Sequence, residues 1–204
     1  MYAETRAETG LARMSPPVRA AMNEVERHRL VPPGEAPRAY RNHPLPIGAG
    51  QTISQPYIVA LSTDLLNLKP GQVVLDVGTG SGYQAAVLAE IAARVFSIEI
   101  IESLGRQAAQ RLQEMGYRNV EVRIGDGYKG WPEKAPFDAI VVTAAAPEVP
   151  PALVEQLKPG GRMVIPVGGD GAIQYLKLLT KRADGGLDER RVLPVRFVPL
   201  VPGK

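Results

Sequence analysis

A buried strand that ends in three closely spaced glycines constrains this chain more than any other stretch. Val73–Val77 is dominated by branched aliphatic side chains, which favours a strand covered on both faces of a sheet. Gly78, Gly80 and Gly82 follow at once, and glycine adopts the positive φ angles of a tight strand-to-helix turn without steric cost. Because glycines carry no Cβ, a ligand can lie against bare backbone N–H groups at the start of the next helix. The stretch therefore predicts a ligand site in an α/β fold.

The spacing of the glycines favours one class of nucleotide ligand over another. A pyrophosphate-binding dinucleotide motif reads G-x-G-x-x-G, whereas this chain has Tyr83 where the third glycine of that motif would stand. Asp76 comes just before the turn, and its carboxylate suits a ligand with a positive centre and amino or hydroxyl donors better than an anionic pyrophosphate. S-adenosylmethionine is such a ligand, and NAD is the weaker alternative. A glycine turn that only packs a helix on a sheet is the remaining alternative.

Acidic residues stand at the ends of three consecutive predicted strands. Asp76 belongs to the first, Glu99 ends the second, and Asp126 follows the third between Gly125 and Gly127. A carboxylate at the end of the second strand reaches the hydroxyl pair of a ribose. Asp126, or a backbone group beside it, would accept a hydrogen bond from an adenine amino group. Three carboxylates on one rim are more specific than the glycines alone.

The composition of the chain excludes several classes of protein. Its 204 residues carry 24 Lys and Arg against 21 Asp and Glu, and the net charge of +3 is interspersed, so we expect no nucleic-acid and no membrane partner. The sequence has no cysteine and only two histidines, His28 and His43, so we expect no metal site. It has neither a signal-like apolar segment near its start nor a run of about 18 apolar residues, which predicts a cytoplasmic protein.

The region before the first strand divides into a terminus, a helix and a loop. Residues 1 to about 14 show no clear period and predict a frayed end or a loosely docked helix. Apolar residues at helical spacing then predict a helix over residues 16–29. Residues 31–51 are rich in proline and glycine and predict a long loop, which in a compact domain is usually functional. Ser54 is placed to cap the next helix, with Pro56 in its first turn.

Alternating strands and helices predict the α/β class. Strands predicted at 73–77, 94–99, 120–124, 137–143 and 162–167 alternate with helices, so these strands should run parallel in one sheet. Two later strands, near residues 174–179 and 192–198, flank the polar turn at residues 184–186 and predict a terminal antiparallel hairpin. We expect a three-layer, doubly wound, mostly parallel sheet with an antiparallel C-terminal hairpin and an N-terminal helical and loop extension.

With these residues in view, the chain resembles the protein-L-isoaspartate O-methyltransferases from about residue 31 to residue 201. The glycine turn and its acidic partners are shared by most class I methyltransferases, whereas the proline-rich loop with Thr52, Ile53 and Ser54 is specific to this family. At residues 25–30 the chain reads VERHRL where the family commonly has Val-Pro-Arg and an aromatic; this touches the N-terminal helix and leaves the chemistry in place. The segments that carry the resemblance are PLPIG at 44–48, GQTISQPY at 50–57, LDVGTGSGY at 75–83, SIE at 97–99, GDGY at 125–128, DAIVVTAA at 138–145 and LKPGG at 157–161.

The resemblance implies a Rossmann-like methyltransferase fold and a function. We expect one methyltransferase domain over residues 1–204, in which residues 1–56 form the N-terminal helix and a substrate-covering loop and residues 57–204 form the cofactor-binding core. The family implies methyl transfer from S-adenosylmethionine, with S-adenosylhomocysteine as product, to the α-carboxylate of L-isoaspartyl residues in damaged proteins and peptides. The ester would then cyclise to a succinimide and start repair. The partners would be isoaspartyl proteins and peptides, and we expect a monomer.

The resemblance also implies the residues of the site. Ser54 is the expected catalytic residue, and it would bind substrate together with Gln51, Thr52 and Ile53. The expected cofactor-binding residues lie along the strand ends: Asp76, Gly78, Thr79, Gly80, Ser81, Gly82, Glu99, Ile100, Asp126, Gly127 and Thr143.

Two functions of other classes stay open at this point. An RNA methyltransferase would show clustered Lys and Arg with stacking aromatics, but only 5% of the residues are aromatic and no basic stripe is present. A non-catalytic cofactor-binding module would show losses in residues 52–54, which are intact.

Overall fold

The computed structural model describes residues 14–169 and 171–203, and the expected frayed terminus therefore falls almost wholly outside the described residues. Across those two ranges the chain forms five α-helices and nine strands. The helices are α1 (Pro16–Glu24), α2 (Pro56–Leu66), α3 (Tyr83–Ala89), α4 (Glu102–Glu114) and α5 (Pro151–Gln156). The strands are β1 (Leu45–Gly48), β2 (Gln51–Ile53), β3 (Val73–Val77), β4 (Arg94–Glu99), β5 (Val120–Ile124), β6 (Phe137–Val142), β7 (Leu157–Val167), β8 (Gln174–Lys181) and β9 (Leu187–Val195).

The main sheet confirms the predicted fold class. Its seven strands lie in the order β5-β4-β3-β6-β7-β8-β9. The five strands β5, β4, β3, β6 and β7 are parallel to one another. Strands β8 and β9 add to the edge beside β7 in antiparallel pairing. The strand that carries the glycine turn, β3, lies between β4 and β6 in the middle of the sheet, and four of its five residues are buried, which explains its aliphatic run.

Apolar layers cover both faces of the sheet. Val74 on β3 belongs to a cluster that includes Leu61 of α2 and Val87 of α3. Its neighbour Leu75 points to the opposite face and belongs to a second cluster with Leu153 of α5. Alternate side chains of one strand thus contribute to two separate cores, which is the packing of a three-layer α/β domain.

The sequence of helix α4 explains both which face of the helix is buried and where the helix ends. Leu104, Ala108 and Leu112 recur every four residues and are buried against the sheet. The helix gives way to Gly116, whose φ is +91°, and the N–H of Tyr117 donates to the carbonyl of Leu112 at 2.9 Å. Glycine at this position takes the left-handed conformation and closes the last turn, as the sequence predicts.

The predicted long loop at residues 31–51 is wrong in part. The structure has a 3-10 helix at Pro33–Arg38, followed by the antiparallel hairpin of β1 and β2. Proline excludes a central strand but is tolerated in this two-stranded sheet, where Pro46 is exposed. The turn uses positive φ angles at Gly48, Ala49 and Gly50. A short hairpin therefore replaces most of the expected irregular loop near the site.

The N-terminal helix is also shorter than predicted. Helix α1 ends at Glu24, and a separate 3-10 helix covers Arg27–Leu30. Arg27 is completely buried; its Nε donates to the carbonyl of Ala39 at 2.7 Å, and its guanidinium lies 4.6 Å from the ring centroid of Tyr83. This side chain ties the N-terminal region to α3, and α3 starts directly after the glycine turn.

Two boundaries in the last strands differ from the prediction. Strand β7 begins at Leu157 rather than at 162, because Leu157 already pairs with Phe137 of β6 and residues 158–161 form a register irregularity before the pairing resumes at Arg162. Strand β9 covers Leu187–Val195 rather than 192–198, since it starts directly after the turn and pairs along all of β8. Residues 196–198 thereby leave the sheet and become available to the site. No helix among the described residues is both long enough and apolar enough to cross a membrane.

Candidate active site

A cavity of about 140 Å³ opens where the carboxyl ends of the central strands meet. Its wall includes four residues of the glycine turn, Gly78, Thr79, Gly80 and Ser81, which are therefore brought together as predicted. Crevices at the carboxyl ends of parallel strands are the usual ligand sites of such sheets. The wall also contains Glu99 at the end of β4 and Ile100 after it, Gly127 after β5, and Thr143 after β6.

The backbone N–H groups of the glycine turn donate to acceptors within the protein. The carbonyl of Ile98 accepts hydrogen bonds from Gly78 N at 2.8 Å and from Thr79 N at 3.1 Å. Gly80 N donates to Oε2 of Glu99 at 2.7 Å. The expectation of bare N–H groups facing the ligand is thus wrong at these three positions. The turn lacks the open cluster of donors that a pyrophosphate needs, which agrees with the choice against a dinucleotide.

Close packing explains why the turn requires glycine at its first position. The φ of Gly78 is +99°, and a Cβ there would overlap the hydroxyl of Thr143. The hydroxyl of Thr143 lies within hydrogen-bonding distance of two carbonyl oxygens and can donate to either: that of Val77 is at 3.1 Å and that of Gly78 at 2.6 Å. Thr143 thereby joins the end of β6 to the end of β3 beneath the cavity.

Glu99 is held rigidly in the wall of the cavity. Its side chain is almost fully buried, and its Oε1 accepts from the N–H of Ile101 at 2.9 Å while Oε2 accepts from Gly80. Each carboxylate oxygen has a second lone pair, so the group can still accept from a ligand hydroxyl. The structure brings Glu99 to the place that the predicted ribose contact requires, and the contact itself stays a prediction.

Asp76 lies beneath the turn and does not line the cavity, contrary to expectation. Strand β3 runs on to Val77, so the side chain of Asp76 points to a face of the sheet and not off its edge, beside Ser97 in the register of β4. Ser97 Oγ donates to Asp76 Oδ2 at 2.7 Å and lies 2.6 Å from Thr79 Oγ1. This chain of hydrogen bonds supports Thr79 from below, so Asp76 acts on the cavity indirectly.

The environment of Asp76 disfavours its charge. The side chain is completely buried, and its Oδ1 has no hydrogen-bond partner among the described residues. Burial raises the pKa of Asp76 to about 7; the hydrogen bond from Ser97 opposes the rise and the negative charge of Glu99 adds to it. Asp76 is therefore partly neutral at neutral pH.

Gly82 and Asp126 also do not line the cavity. Gly82 precedes α3 with φ of +90° and packs against Leu112. Oδ1 of Asp126 accepts from the N–H of Tyr128 at 2.9 Å and caps the 3-10 helix Gly127–Lys129. Gly127 lines the wall, whereas the Asp126 side chain accepts from the N–H of Tyr128 and does not line it.

The four predicted substrate residues, 51–54, line the same cavity from the side of the β1–β2 hairpin. Ser54 was expected to cap α2, and this is wrong: the helix begins after Gln55, with no side-chain capping bond. The hydroxyl of Ser54 has no hydrogen-bond partner in the described part of the chain and is partly exposed. A hydroxyl without a structural bond at this place is free to meet a ligand.

A second cavity, of about 580 Å³, adjoins the first. The two cavities share the wall residues Thr52, Ser54, Thr143 and Val198. Ser54 therefore stands between a site at the strand ends and a larger, open site beside the hairpin. Two ligands that occupy the two cavities would meet at this hydroxyl.

The predicted site residues did not include the C-terminal segment, which forms part of both walls. Residues 198–201 line the first cavity, and residues 193–198 line the second. The segment is held over β6 because Ala145 N donates to the carbonyl of Val198 at 2.8 Å and Leu200 N donates to the carbonyl of Ala145 at 2.7 Å. The apolar run that follows β9 was the available signal, but its partner lies far away in sequence.

Asp76→Asn should remove a pH dependence of folding. The carboxyl titrates near pH 4 in an unfolded chain and with a pKa of about 7 in the folded protein. Because the folded pKa is the higher one, the stability associated with the neutral carboxyl is complete below about pH 4 and is lost as the pH rises to about 7. Urea denaturation between about pH 4 and pH 8 should show a fall of a few kcal/mol in the wild-type free energy of unfolding, and this fall should be absent from the variant.

Asp184→Asn is the matched control. Asp184 is exposed, and the N–H of Gly186, followed by Arg182, holds the pKa of this carboxyl below its usual value. Its contribution to stability therefore changes only below about pH 4. The control should keep the wild-type fall, and a fall that persists in both variants would show that Asp76 is not its source.

Comparison with known proteins finds a matching family model and similar proteins. A family model described as protein-L-isoaspartate(D-aspartate) O-methyltransferase matches residues 5–204. A protein-L-isoaspartate O-methyltransferase 2 from Polaromonas sp. is 62% identical over 197 residues, which cover 97% of this chain and 93% of that protein.

Solved structures agree with the sequence relatives. A protein-L-isoaspartate O-methyltransferase structure matches with a TM-score of 0.84 at 29% identity; the match covers 98% of this chain and 65% of that chain, so this chain spans just under two thirds of it. A Plasmodium falciparum protein described as the same enzyme, in complex with S-adenosyl-L-homocysteine, matches with a TM-score of 0.79 at 28% identity and covers 92% of this chain and 91% of that one. The chain belongs to the protein-L-isoaspartate(D-aspartate) O-methyltransferase family.

Proposed function

We propose that this protein transfers a methyl group from S-adenosylmethionine to the α-carboxylate of L-isoaspartyl residues in damaged proteins and peptides, which starts their repair through a succinimide. The observation that carries this proposal is the unbonded hydroxyl of Ser54 in the wall shared by the two cavities. It can touch the acceptor group at the point where a cofactor in the first cavity would face a peptide in the second. Membership of the family supports the same reaction.

The first cavity has the chemistry that S-adenosylmethionine requires. Glu99 supplies a buried acceptor for ribose hydroxyls, and Gly127 supplies backbone close to the wall. The glycine turn keeps N–H groups of Gly78, Thr79 and Gly80 within the protein, so no cluster of donors there opposes a positively charged ligand. When bound, the cofactor supplies a methyl group activated by a positive sulfur. Three more of the predicted cofactor contacts, Ser81, Ile100 and Thr143, lie in the same wall, whereas Asp76, Gly82 and Asp126 do not.

Residues 51–54 form the substrate side of the proposed site. They line the first cavity, and Thr52 and Ser54 also line the second. We propose that these residues orient the substrate carboxylate through hydroxyl and backbone donors. Within one domain, the β1–β2 hairpin of the N-terminal part, residues 1–56, would cover the peptide, while residues 57–204 would form the cofactor-binding core and also supply the C-terminal wall of the second cavity.

The proposed reaction needs no general base. A carboxylate with a pKa of about 3.5–4 is ionised at neutral pH, so it attacks without losing a proton. Its oxygen forms a bond to the methyl carbon while the carbon–sulfur bond breaks and its electron pair stays on sulfur. The protein must therefore position the two reactants and exclude water. Neither histidine lines the two cavities: His28 Nδ1 lies 2.7 Å from the hydroxyl of Tyr40, and His43 Nδ1 lies 3.0 Å from the carbonyl of Pro44.

Isoaspartyl proteins and peptides are the proposed partners. The absence of nucleic-acid and membrane partners, the monomeric state and the cytoplasmic location stay predictions from the sequence. No metal is proposed, and within residues 14–169 and 171–203 no group of three or more His, Cys, Asp or Glu side chains is arranged to hold one.

A pair of peptides tests the proposed function directly. Two short peptides of one sequence, one with an L-isoaspartyl residue and the other with the normal L-aspartyl residue, should be incubated with the protein and S-adenosylmethionine. Mass spectrometry should detect a gain of one methyl group on the isoaspartyl peptide only, followed by appearance of the succinimide. Methylation of neither peptide, or of both equally, would contradict the proposed substrate.

Ser54→Ala should lower turnover without a loss of stability. The hydroxyl makes no bond within the described residues, so its removal should change the free energy of unfolding by less than about 0.5 kcal/mol. A lost hydrogen bond to a carboxylate costs about 1.5–3 kcal/mol, which predicts a fall in kcat/KM of about tenfold or more. Ser103→Ala, on the exposed face of α4, is the control and should keep wild-type kinetics. Wild-type kinetics in Ser54→Ala would remove the hydroxyl from the mechanism.

Glu99→Gln should weaken cofactor binding about tenfold or more. The change replaces an acceptor by an NH₂ group that faces backbone N–H donors, and it removes a charged partner for the ribose. Calorimetric titration with S-adenosylhomocysteine measures the affinity, and urea denaturation checks that the variant is folded. Glu102→Gln is the control, because Glu102 is exposed on α4 and pairs with Arg106 on the same helix. Equal affinities for a folded Glu99→Gln and the wild type would exclude the ribose contact.

A further inference from the structure

The two cavities carry opposite charges. Glu99 is the one charged residue in the described wall of the first cavity. Arg196 is the one charged residue in the described wall of the second. The proposed cofactor is positively charged at sulfur, and the proposed acceptor is a carboxylate. Each cavity therefore has the sign of charge that attracts the reactant assigned to it.

The backbone next to Arg196 is fixed by long-range hydrogen bonds. The side chain of Gln174 binds both polar groups of Phe197: Oε1 accepts from Phe197 N at 2.6 Å, and Nε2 donates to the carbonyl of Phe197 at 3.1 Å. One residue further on, the carbonyl of Val198 accepts from Ala145 N at 2.8 Å. Arg196 therefore stands on a rigid base between β9 and this anchored segment, and not on a free C-terminal tail.

The guanidinium of Arg196 has no partner among the residues that the structure describes. Its side chain is exposed, and it takes part in no hydrogen bond, ion pair or ring contact there. Two other arginines near the same end of the chain are engaged: Arg182 pairs with Asp184 and Asp188, and Arg191 lies 5.2 Å from the ring centroid of Tyr175. An arginine has five N–H donors in a planar fork that matches a carboxylate. In Arg196 this fork is available to a ligand in the second cavity.

We propose that Arg196 binds the acceptor carboxylate of the isoaspartyl residue and sets the preference of the enzyme for the charged substrate; this inference rests on the proposed function. The carboxylate would then lie between the guanidinium of Arg196 and the hydroxyl of Ser54, since both residues line the second cavity. An acidic side chain elsewhere in a peptide presents the same chemistry, so the test must separate the two carboxylates.

The reaction fixes the kinetic consequence of such a contact. When the carboxylate oxygen takes the methyl group, its negative charge disappears, and so does the positive charge on sulfur. Arg196 therefore stabilises the bound substrate more than the transition state, where the carboxylate charge is already reduced. Arg196 should lower KM without raising kcat. The neutral ester that results no longer attracts the guanidinium, which favours its release.

A binding experiment without turnover tests the carboxylate contact. The ligands are an isoaspartyl peptide without other acidic side chains and the same peptide with the isoaspartyl α-carboxylate replaced by a carboxamide. Calorimetry on protein saturated with S-adenosylhomocysteine gives the two affinities. We expect the wild type to prefer the carboxylate by about tenfold, the value of one charge-assisted hydrogen bond near the lower end of its range. Arg196→Gln should bind both peptides with nearly equal affinity.

The control variant is Arg190→Gln. Arg190 is exposed on β9 and lines neither cavity, so this variant removes the same charge from the strand that precedes Arg196 and should keep the tenfold preference. Steady-state kinetics should show KM raised about tenfold in Arg196→Gln, with kcat unchanged or raised and never lowered. Arg196→Lys should recover part of the preference, since it keeps the charge but loses the planar fork.

Three results would overturn the inference. The first is a preference for the carboxylate that survives in Arg196→Gln. The second is an equal loss of affinity for both peptides, which would make Arg196 a general wall residue. The third is a fall in kcat at unchanged KM. If the wild type binds and methylates the isoaspartyl peptide while one of these results appears, only the role of Arg196 fails. If the wild type methylates neither peptide of the isoaspartyl and aspartyl pair, the proposed function fails and this inference fails with it.

Discussion

The carboxylate of Glu99 holds the end of one strand, the glycine turn and the start of a helix together, and most of the site depends on it. Its oxygens accept from Gly80 N at 2.7 Å and from Ile101 N at 2.9 Å. One residue earlier, the carbonyl of Ile98 accepts two more N–H groups of the turn. The end of β4 thus fixes both the turn after β3 and the approach to α4. Because the turn is satisfied from within, it presents a cofactor with an acidic wall and not with a set of anion-binding donors.

Segments from opposite parts of the chain complete this framework only after folding. The β1–β2 hairpin supplies Ser54 from the N-terminal side, and residues 196–201 arrive from the C-terminal side. Both reach the end of β6, where Thr143 lines the two cavities and Ala145 anchors the C-terminal segment through its N–H and its carbonyl. The core strands therefore form a fixed base, and two distant segments add the walls where substrate would enter. A site of this kind is rigid because its loops are bound to strand ends and not only to each other.

The parts of this design that follow from local sequence were predictable, and the parts that depend on side-chain direction were not. The aliphatic runs of the central strands and Glu99 at the end of β4 follow from period and position alone. The bounds of β3 were predicted correctly, but the direction of the Asp76 side chain was not: Asp76 lies inside the strand, one residue before its end, and the alternation of the strand places the carboxyl beneath the turn. Ser54 was misread as a cap because α2 begins one residue later than expected. The C-terminal walls depend on contacts with Ala145 that no local pattern contains.

The proposed chemistry explains why the walls carry so few titratable groups. An acceptor that is already ionised needs no proton transfer, so a base in the site would add desolvation cost without a benefit to the rate. The reaction does need a positively charged sulfur and a negatively charged carboxylate, each bound in its own cavity, because methyl transfer neutralises both charges. Glu99 in one cavity and Arg196 in the other have this arrangement, with the neutral hydroxyl of Ser54 between them. A cationic side chain beside the sulfur would repel the cofactor, and an anionic side chain beside the acceptor would repel the substrate carboxylate. The scarcity of charge in the walls is therefore part of how the site would bring the two reactants together.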